Sequence, residues 1–228
     1  MISFFKSNIM VIKTTRYEWR LFMEQTEQSF MDIIQKLNEI DFINPEDIPG
    51  IDLYMDQVTT FMDEHLKACK RNDDDKILTK TMINNYTKNN LLPPPLKKKY
   101  SKDHMYLLIF LYYFKSILSI NDIQKVFQPL TDMFYQQPDK ETNIEEIYQT
   151  IFKMERIQTD NITKDILRRF KHSQNLFPQV TDEKESDYLS RFAFICLLSF
   201  DAYLKKQLVE RMIDETLSDI NSDTSDEK

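Results

Sequence analysis

Apolar residues recur at intervals of three and four along most of the chain, which is the spacing of an amphipathic helix. Few turn residues interrupt the pattern, and Gly50 is the single glycine among 228 residues. The pattern therefore predicts an all-α fold, with at most a very short β-wing. It predicts helices over Arg16–Ile40, Ile51–Lys70, Thr79–Lys88, the residues after Ser101, the residues after Ser119, Ile144–Gln158, Ile162–Gln174 and Ser186–Leu217.

Polar residues and prolines mark where the central helices begin and end. Thr79 precedes a helical pattern, and its hydroxyl can accept a hydrogen bond from a backbone N–H of the first turn. Ser101 and Ser119 stand in the same place before the next two patterns. Pro93–Pro95 end the helix that Thr79 begins, because proline has no N–H and forces the residue before it towards extended geometry. The central segment is thus predicted as a short helix, a proline turn, a loop and two further helices.

Charge sets this central segment apart from the rest of the chain. Residues 76–102 contain seven lysines and no aspartate or glutamate, whereas the whole chain has a formal charge of −7. The remaining residues therefore carry a charge of −14. An acidic protein that concentrates lysine beside one short helix and the following loop presents a local positive surface. Such a surface favours binding of a polyanion.

The order of motifs in this segment resembles the winged-helix core of the MerR family of bacterial transcription regulators. In that family a short recognition helix ends in a leucine-proline run, a Tyr-Ser or Tyr-Thr pair closes the wing, and a segment of the form hydrophobic-Ser-hydrophobic-x-x-Ile follows. The matching residues here are Ile83, Tyr86, Leu91, Leu92, Pro93, Tyr100, Ser101 and Ser119–Ile123.

A closer resemblance is to a bacterial family called domain of unknown function 1836, which is regarded as MerR-like. The segments that carry it are IPGIDLYMDQVTTF, TKTMINNYTK and KKKYSKDH. This resemblance covers roughly Asn44 to Leu130. Its motifs are more specific than the general MerR pattern.

The resemblance implies a sequence-specific regulator of transcription that binds double-stranded DNA. It implies that the recognition helix, residues 79–88, lies in the major groove and that the basic wing, residues 97–100, lies on the phosphates. Asparagine can read an adenine edge through two hydrogen bonds, and lysine commonly contacts phosphate. The predicted DNA-binding residues are Thr79, Lys80, Thr81, Asn84, Asn85, Lys88, Lys97, Lys98, Lys99 and Tyr100.

Each of these predictions has a simpler alternative. A lysine triplet can be a solvated loop that keeps the protein soluble, and Asn84 and Asn85 can be ordinary exposed helix residues. Tyr86 fits a core position better than a surface position. The competing hypothesis for the whole unit is a helical protein-protein interaction module that keeps the winged-helix scaffold without binding DNA. Binding to mixed genomic DNA across a salt series separates the two classes.

Other kinds of chemistry find little support in the sequence. One glycine leaves no GxGxxG motif and no P-loop, and no grouping of His, Ser and Asp indicates a nucleophile. We therefore expect neither enzyme activity nor a cofactor. His65 and Cys69 have a spacing that can bind a metal ion, but a structural role is favoured because no third ligand is evident. Cys196 lies in an apolar run and is interpreted as a buried hydrophobic residue.

We expect a cytoplasmic protein without membrane contacts. Two distant cysteines without a CxxC motif are typical of a reducing compartment. The apolar start, Met1–Lys13, is short, contains lysines and lacks a small-residue cleavage site, which argues against a signal peptide. The most apolar run, Met105–Phe114, is about half as long as a transmembrane helix.

Composition divides the chain into four predicted parts: an N-terminal helical segment (1–43), a DNA-binding domain (44–130), a C-terminal helical domain (131–218) and a disordered acidic tail (219–228). Pro129 and the polar run after it mark the main boundary. One short recognition helix reads few base pairs, so we expect a homodimer on a palindromic site. The apolar surface for it is the helix Ser186–Leu217. The sequence does not identify an effector ligand.

Overall fold

A computed structural model describes residues 28–40, 43–137 and 140–216. Within these residues the fold consists of helices and one small two-stranded sheet, which confirms the all-α prediction. The helices are α1 (28–38), α2 (Met55–His65), α3 (Lys80–Lys88), α4 (Lys102–Phe114), α5 (Ile120–Phe134), α6 (Ile144–Ser173) and α7 (Glu183–Thr216). The strands are β1 (Leu53–Tyr54) and β2 (Lys99–Tyr100), and 3-10 turns lie at Pro45–Asp47 and Lys67–Cys69.

The chain divides into two compact units, residues 1–40 and 41–228. In the first unit, the described residues confirm the predicted helix over 28–38. The earlier part of that prediction, residues 16–27, lies outside the described residues, as does the predicted disordered tail, 219–228. The fold and the candidate site below concern the second unit.

Helix α4 is the centre of the second unit. Every residue from His104 to Leu111 is buried, so the helix is enclosed on all sides. A helix that is apolar around its whole circumference is expected to lie inside a protein. The side chains that surround α4 come from every neighbouring helix of the unit and include Val58, Met62, Ile83, Phe127 and Tyr148.

The short helix α3 has the predicted ends. The Thr79 hydroxyl accepts a hydrogen bond from the Met82 N–H at 3.2 Å, which confirms Thr79 as the N-cap. At the other end, Asn90 has a φ of 55°, and the Leu91 N–H donates to the Tyr86 carbonyl at 2.9 Å. This left-handed residue turns the chain so that Leu91 is buried.

A small hairpin follows the proline turn. Strand β2 pairs antiparallel with β1, with Tyr100 opposite Leu53 and Lys99 opposite Tyr54. On its other side Lys99 bridges Leu96, and the Lys99 N–H donates to the Leu96 carbonyl at 2.9 Å. The two residues between them, Lys97 and Lys98, have φ values of 50° and 64°. This is the geometry of a two-residue type I′ turn, so the predicted short β-wing is present.

Two helix limits near the candidate site differ from the prediction, one because of pairing in this sheet and the other because of packing in the core. The helix predicted over Ile51–Lys70 begins only at Met55, because Leu53 and Tyr54 pair with β2 instead. Pro129 does not end a helix; α5 continues to Phe134 because Leu130 and Phe134 pack against the core. The predicted boundary at residue 130 therefore falls inside α5.

The C-terminal helices also differ from the prediction. Ile144–Gln158 and Ile162–Gln174 form one helix, α6, because the polar residues between them include no glycine or proline that would end it. Helix α7 begins at Glu183, since the Asp182 carboxylate accepts from the Lys184 and Glu185 N–H groups at 3.0 and 2.9 Å. Ser186, where the predicted helix begins, therefore lies inside α7. Cys196 is exposed, so its predicted burial is wrong.

Helix α6 joins the predicted C-terminal domain to the predicted DNA-binding domain. The Tyr148 ring lies 4.6 Å from the Tyr106 ring of α4, measured between centroids. Its hydroxyl donates to the Ile43 carbonyl at 2.6 Å. The two predicted domains, 44–130 and 131–218, thus share buried side chains.

The hairpin tip gives a first prediction. Lysine at a left-handed φ costs about 1–2 kcal/mol per residue, whereas Asn-Gly is the preferred pair for a type I′ turn. We expect the double substitution Lys97→Asn and Lys98→Gly to raise the free energy of unfolding by about 1–2 kcal/mol in a urea titration.

The matched control is Lys97→Ala with Lys98→Ala, which removes the same two charges and keeps the unfavourable backbone. It should give little stabilisation, because it removes only the weak repulsion between two exposed like charges. Equal stabilisation by both pairs would show that charge, and not backbone conformation, sets the stability of the turn.

Candidate nucleic-acid interface

Helix α2 contacts both α3 and strand β2 of the hairpin. Ile83 and Tyr86 turn one face of α3 into the core, and both are buried, which confirms the core interpretation of Tyr86. The opposite face exposes Thr81, Asn84 and Asn85. Because the buried spacing fixes the rotation of the helix about its axis, these polar side chains point together towards solvent.

The lysines of the basic segment fall into two groups. Lys80 forms an ion pair with Asp56 at the start of α2, and Lys102 lies 2.8 Å from Glu145 of α6. The amine of Lys99 lies 5.1 Å from the centre of the Tyr54 ring, across the hairpin. The other four lysines of the segment are exposed: Lys76, Lys88, Lys97 and Lys98.

Two predicted site residues have structural roles. Thr79 is partly buried and its hydroxyl caps α3. Tyr100 is only 3% exposed, and its ring meets the His104 ring edge-on with centroids 5.4 Å apart. Burial also raises the pKa of the Tyr100 hydroxyl, so it stays protonated at neutral pH. The side chain of Tyr100 thus supports the wing from the core side and does not lie on its surface.

Buried His104 joins the three segments that shape the site. Its Nδ1 lies 3.0 Å from the Ser101 backbone nitrogen, and its Nε2 lies 3.2 Å from the Pro93 carbonyl oxygen. Because the Ser101 N–H can only donate, Nδ1 accepts, and Nε2 carries the proton that is donated to Pro93. The Tyr135 hydroxyl at the end of α5 lies 3.1 Å from Nε2. One imidazole therefore holds the proline turn, the wing exit and α5 together.

Burial sets the protonation state of His104. It lowers the pKa of the imidazole below the ordinary value, although the hydrogen bond to Pro93 and the nearby Asp103 and Asp52 carboxylates act in the opposite direction. The neutral ring is also the form that the Ser101 contact requires. This role of His104 is not among those predicted from the sequence. The sequence does contain a signal for it. His104 lies three residues after the capping Ser101, and a side chain at that position can accept a hydrogen bond from the backbone N–H of the cap residue.

A second residue that the sequence does not single out, Lys115, fixes the approach to α3. Its amine donates to the Ile77 carbonyl at 2.8 Å, two residues before the Thr79 cap. The amine also lies 4.6 Å from the centre of the Tyr112 ring. Burial lowers the pKa of this lysine. The end of α4 therefore positions the start of α3 through one charged hydrogen bond.

His65 and Cys69, whose spacing could bind a metal ion, each contact protein groups instead. The Nδ1 of His65 lies 2.9 Å from the Phe61 carbonyl oxygen, and the Cys69 thiol contacts the hydroxyls of Tyr112 and Tyr113. Burial raises the pKa of that thiol. Within residues 28–40, 43–137 and 140–216, no three His, Cys, Asp or Glu side chains are grouped to hold a metal ion.

Comparison with models of known families gave a match over the central part of the chain. The class that the fold defines is a small helical unit with a β-wing and a basic surface. Residues 43–151 match the family described as "Domain of unknown function (DUF1836)". This supports the closer of the two resemblances, and the matched segment continues past residue 130 into α6, as far as the turn that carries Tyr148. Searches of curated proteins and of solved structures gave no match.

The helices were also compared with the length and hydropathy that a bilayer requires. None of those in the described ranges is both long enough and apolar enough to cross a membrane. The buried apolar helix α4, at 13 residues, is too short.

The depressed His104 pKa gives a second prediction. The folded protein keeps the ring neutral while the unfolded chain takes up a proton near the ordinary value of about 6.5, so stability falls as the pH drops below that value. We expect His104→Gln to lower stability by about 1–3 kcal/mol at pH 7.5, through the lost buried hydrogen bonds. It should also flatten the decline in stability between pH 7.5 and 5.5, measured by urea unfolding at each pH.

The exposed histidine of α6, His172, supplies the control. His172→Gln should leave both the stability at pH 7.5 and its pH dependence close to those of the wild type. A decline as steep in His104→Gln as in the wild type would show that other groups cause the acid sensitivity.

Proposed function

We propose that this protein is a MerR-like winged-helix regulator that binds double-stranded DNA in a sequence-specific manner. In this proposal α3 enters the major groove and the hairpin lies on the sugar-phosphate backbone. The observation that carries the proposal is the distribution of charge: a protein with a net charge of −7 places exposed lysines on α3 and on the adjoining hairpin tip. No acidic residue occurs between Lys76 and Lys102.

The arrangement of α3 supports a role in recognising the bases of DNA. Its buried face is fixed by Ile83 and Tyr86, and its exposed face carries amides and a hydroxyl rather than acidic groups. Asn84 and Asn85 can each donate and accept toward an adenine edge in a major groove. Thr81 and Lys88 lie at the two ends of the same helix, where they can contact the flanking backbone.

The Lys80–Asp56 ion pair limits the positive charge of the same surface. Both side chains are largely exposed, so the pair contributes little to stability. A phosphate that approaches α3 competes with Asp56 for the Lys80 amine. The Asp56 carboxylate therefore weakens general attraction to DNA, and contacts from the exposed lysines of the hairpin become more important.

The long helix α7 supports a homodimer. Its exposed apolar side chains include four aromatic residues, Tyr188, Phe192, Phe200 and Tyr203, which are 52–67% exposed. At this exposure each offers on the order of 100 Å² of surface, and several exposed aliphatic residues add to it. A soluble monomer rarely exposes a single patch above about 300–600 Å². A second copy of α7 would cover this surface and place two copies of α3 on a palindrome.

The competing function is a protein-protein interaction module in which the basic face binds an acidic partner. The exposed apolar surface of α7 is the observation that favours it, because such a surface also suits a different protein. Salt-dependent binding to DNA is expected for the regulator and not for the protein-protein interaction module.

The third prediction concerns the lysines of the hairpin. If Lys97, Lys98 and Lys99 each neutralise a phosphate, replacing all three by alanine should lower affinity for specific and random duplexes alike. The slope of log K against log salt should fall by about 0.9 for each lost contact, because fewer counterions are released. Fluorescence anisotropy over a salt series, with a selected operator and a random duplex, measures both effects.

The control removes three exposed lysines of α6, Lys153, Lys164 and Lys171, and changes the net charge equally. It should leave the slope unchanged. Asn85→Ala should keep the slope and lose roughly 1–3 kcal/mol of preference for the operator, because a base contact gives discrimination. A wild type without salt-sensitive affinity for either duplex would rule out DNA binding.

The fourth prediction concerns the oligomeric state. We expect multi-angle light scattering to give the mass of a dimer at tens of micromolar protein. The double substitution Phe200→Ser and Leu204→Ser, at two exposed neighbours on α7, should shift the protein to a monomer without a loss of helical circular dichroism.

Met154→Ser with Ile162→Ser removes exposed apolar side chains from α6 and serves as the control, which should remain dimeric. A wild type that is monomeric both alone and with DNA would exclude the homodimer.

A further inference from the structure

An apolar cleft opens between α7 and the junction of α4 with α5. Its volume is about 340 Å³. Phe114, Leu118 and Val126 line it on one side, and Val209, Met212 and Ile213 line it on the side of α7. Ile213 is only 3% exposed and forms part of the floor, whereas Ile117 at the edge is 51% exposed. The cleft is therefore accessible from solvent and closed at its base.

The lining excludes most kinds of ligand. Every described side chain around the cleft is aliphatic, aromatic or a thioether, so a charged or strongly polar molecule would lose its hydration without gaining a partner. An apolar molecule gains from the same transfer. Methionine at position 212 adapts its shape to different ligands more easily than a branched side chain.

The size of the cleft favours a small molecule over a helix of a partner protein. One turn of helix, about 10 Å across and 5.4 Å long, occupies roughly 400 Å³, which exceeds the cleft. An apolar cavity of about 150 Å³ holds benzene, so 340 Å³ accommodates about two rings. This volume is near the lower end of the range for small-molecule sites.

An exposed ion pair lies beside the cleft. The Lys125 amine of α5 lies 2.8 Å from the Asp214 carboxylate of α7. These two residues directly precede and follow the lining residues Val126 and Ile213, so the pair joins the same two helices beside the cleft.

We propose that the cleft between α5 and α7 is a binding site for a small uncharged apolar molecule of about two rings. The site is separate from the basic surface of α3 and the hairpin, so the proposal does not depend on DNA binding.

The test uses 1-fluoronaphthalene as the probe and the full-length protein. Fluorine NMR of the probe should show saturable binding to the wild type. Ile117→Trp places an indole in the mouth of the cleft and should weaken binding at least tenfold. Ile195→Trp makes the same change at another exposed isoleucine, on α7 and outside the cleft, and should bind the probe as the wild type does.

Circular dichroism checks that both variants keep the helical content of the wild type. If Ile117→Trp does not fold, Val126→Met fills the cleft from the α5 side and should weaken binding in its place. Absence of saturable binding, or equal binding by wild type and a folded cleft variant, would overturn the proposal. A dimer that excludes the probe and dissociates in Ile117→Trp would also overturn it, since a second copy would then fill the cleft.

Discussion

The complete burial of α4 is the constraint on which the rest of this unit depends. A helix with no polar face must be covered on every side, and the chain meets this need with helices from both directions along the sequence: α2 and α3 before it, α5 and α6 after it. Covering α4 fixes the rotation of α3, because Ile83 and Tyr86 must face inwards. The polar face of α3 is exposed as a direct consequence.

Two side chains at the ends of α4 hold the segments on either side of α3. One fixes the approach to α3, and the other fixes the proline turn that follows it. At the start of α4, His104 binds the Pro93 carbonyl and the Ser101 N–H, so the proline turn and the wing are held by one neutral ring. At the end of α4, Lys115 binds the Ile77 carbonyl before the Thr79 cap. Phe114, the residue before Lys115, lines the apolar cleft. The candidate DNA surface and the cleft are thus supported by neighbouring residues at the end of one helix.

The local signals of α3 were read correctly from the sequence, whereas most of the long-range contacts around it were not. The Thr79 cap, the proline stop and the periodicity of α3 depend on residues a few positions apart, which the sequence shows directly. Pro129 lies inside α5 because packing of Leu130 and Phe134 outweighs one lost hydrogen bond. The burial of Tyr100 follows from its pairing with Leu53, 47 positions earlier. His104 and Lys115 bind carbonyl oxygens of segments 11 and 38 residues away, which no local pattern reveals.

The hairpin tip provides the sharpest physical argument about function. Lys97 and Lys98 occupy left-handed backbone positions that glycine or asparagine would adopt more easily, and the chain uses no glycine there. Two adjacent like charges at an exposed tip add electrostatic repulsion to this conformational cost. Neither term stabilises the fold, and the rest of the protein is acidic. A hairpin that only had to cover α4 would be more stable with Asn-Gly at its tip. The proposed contact with a phosphate backbone beside α3 would account for lysine at these two positions.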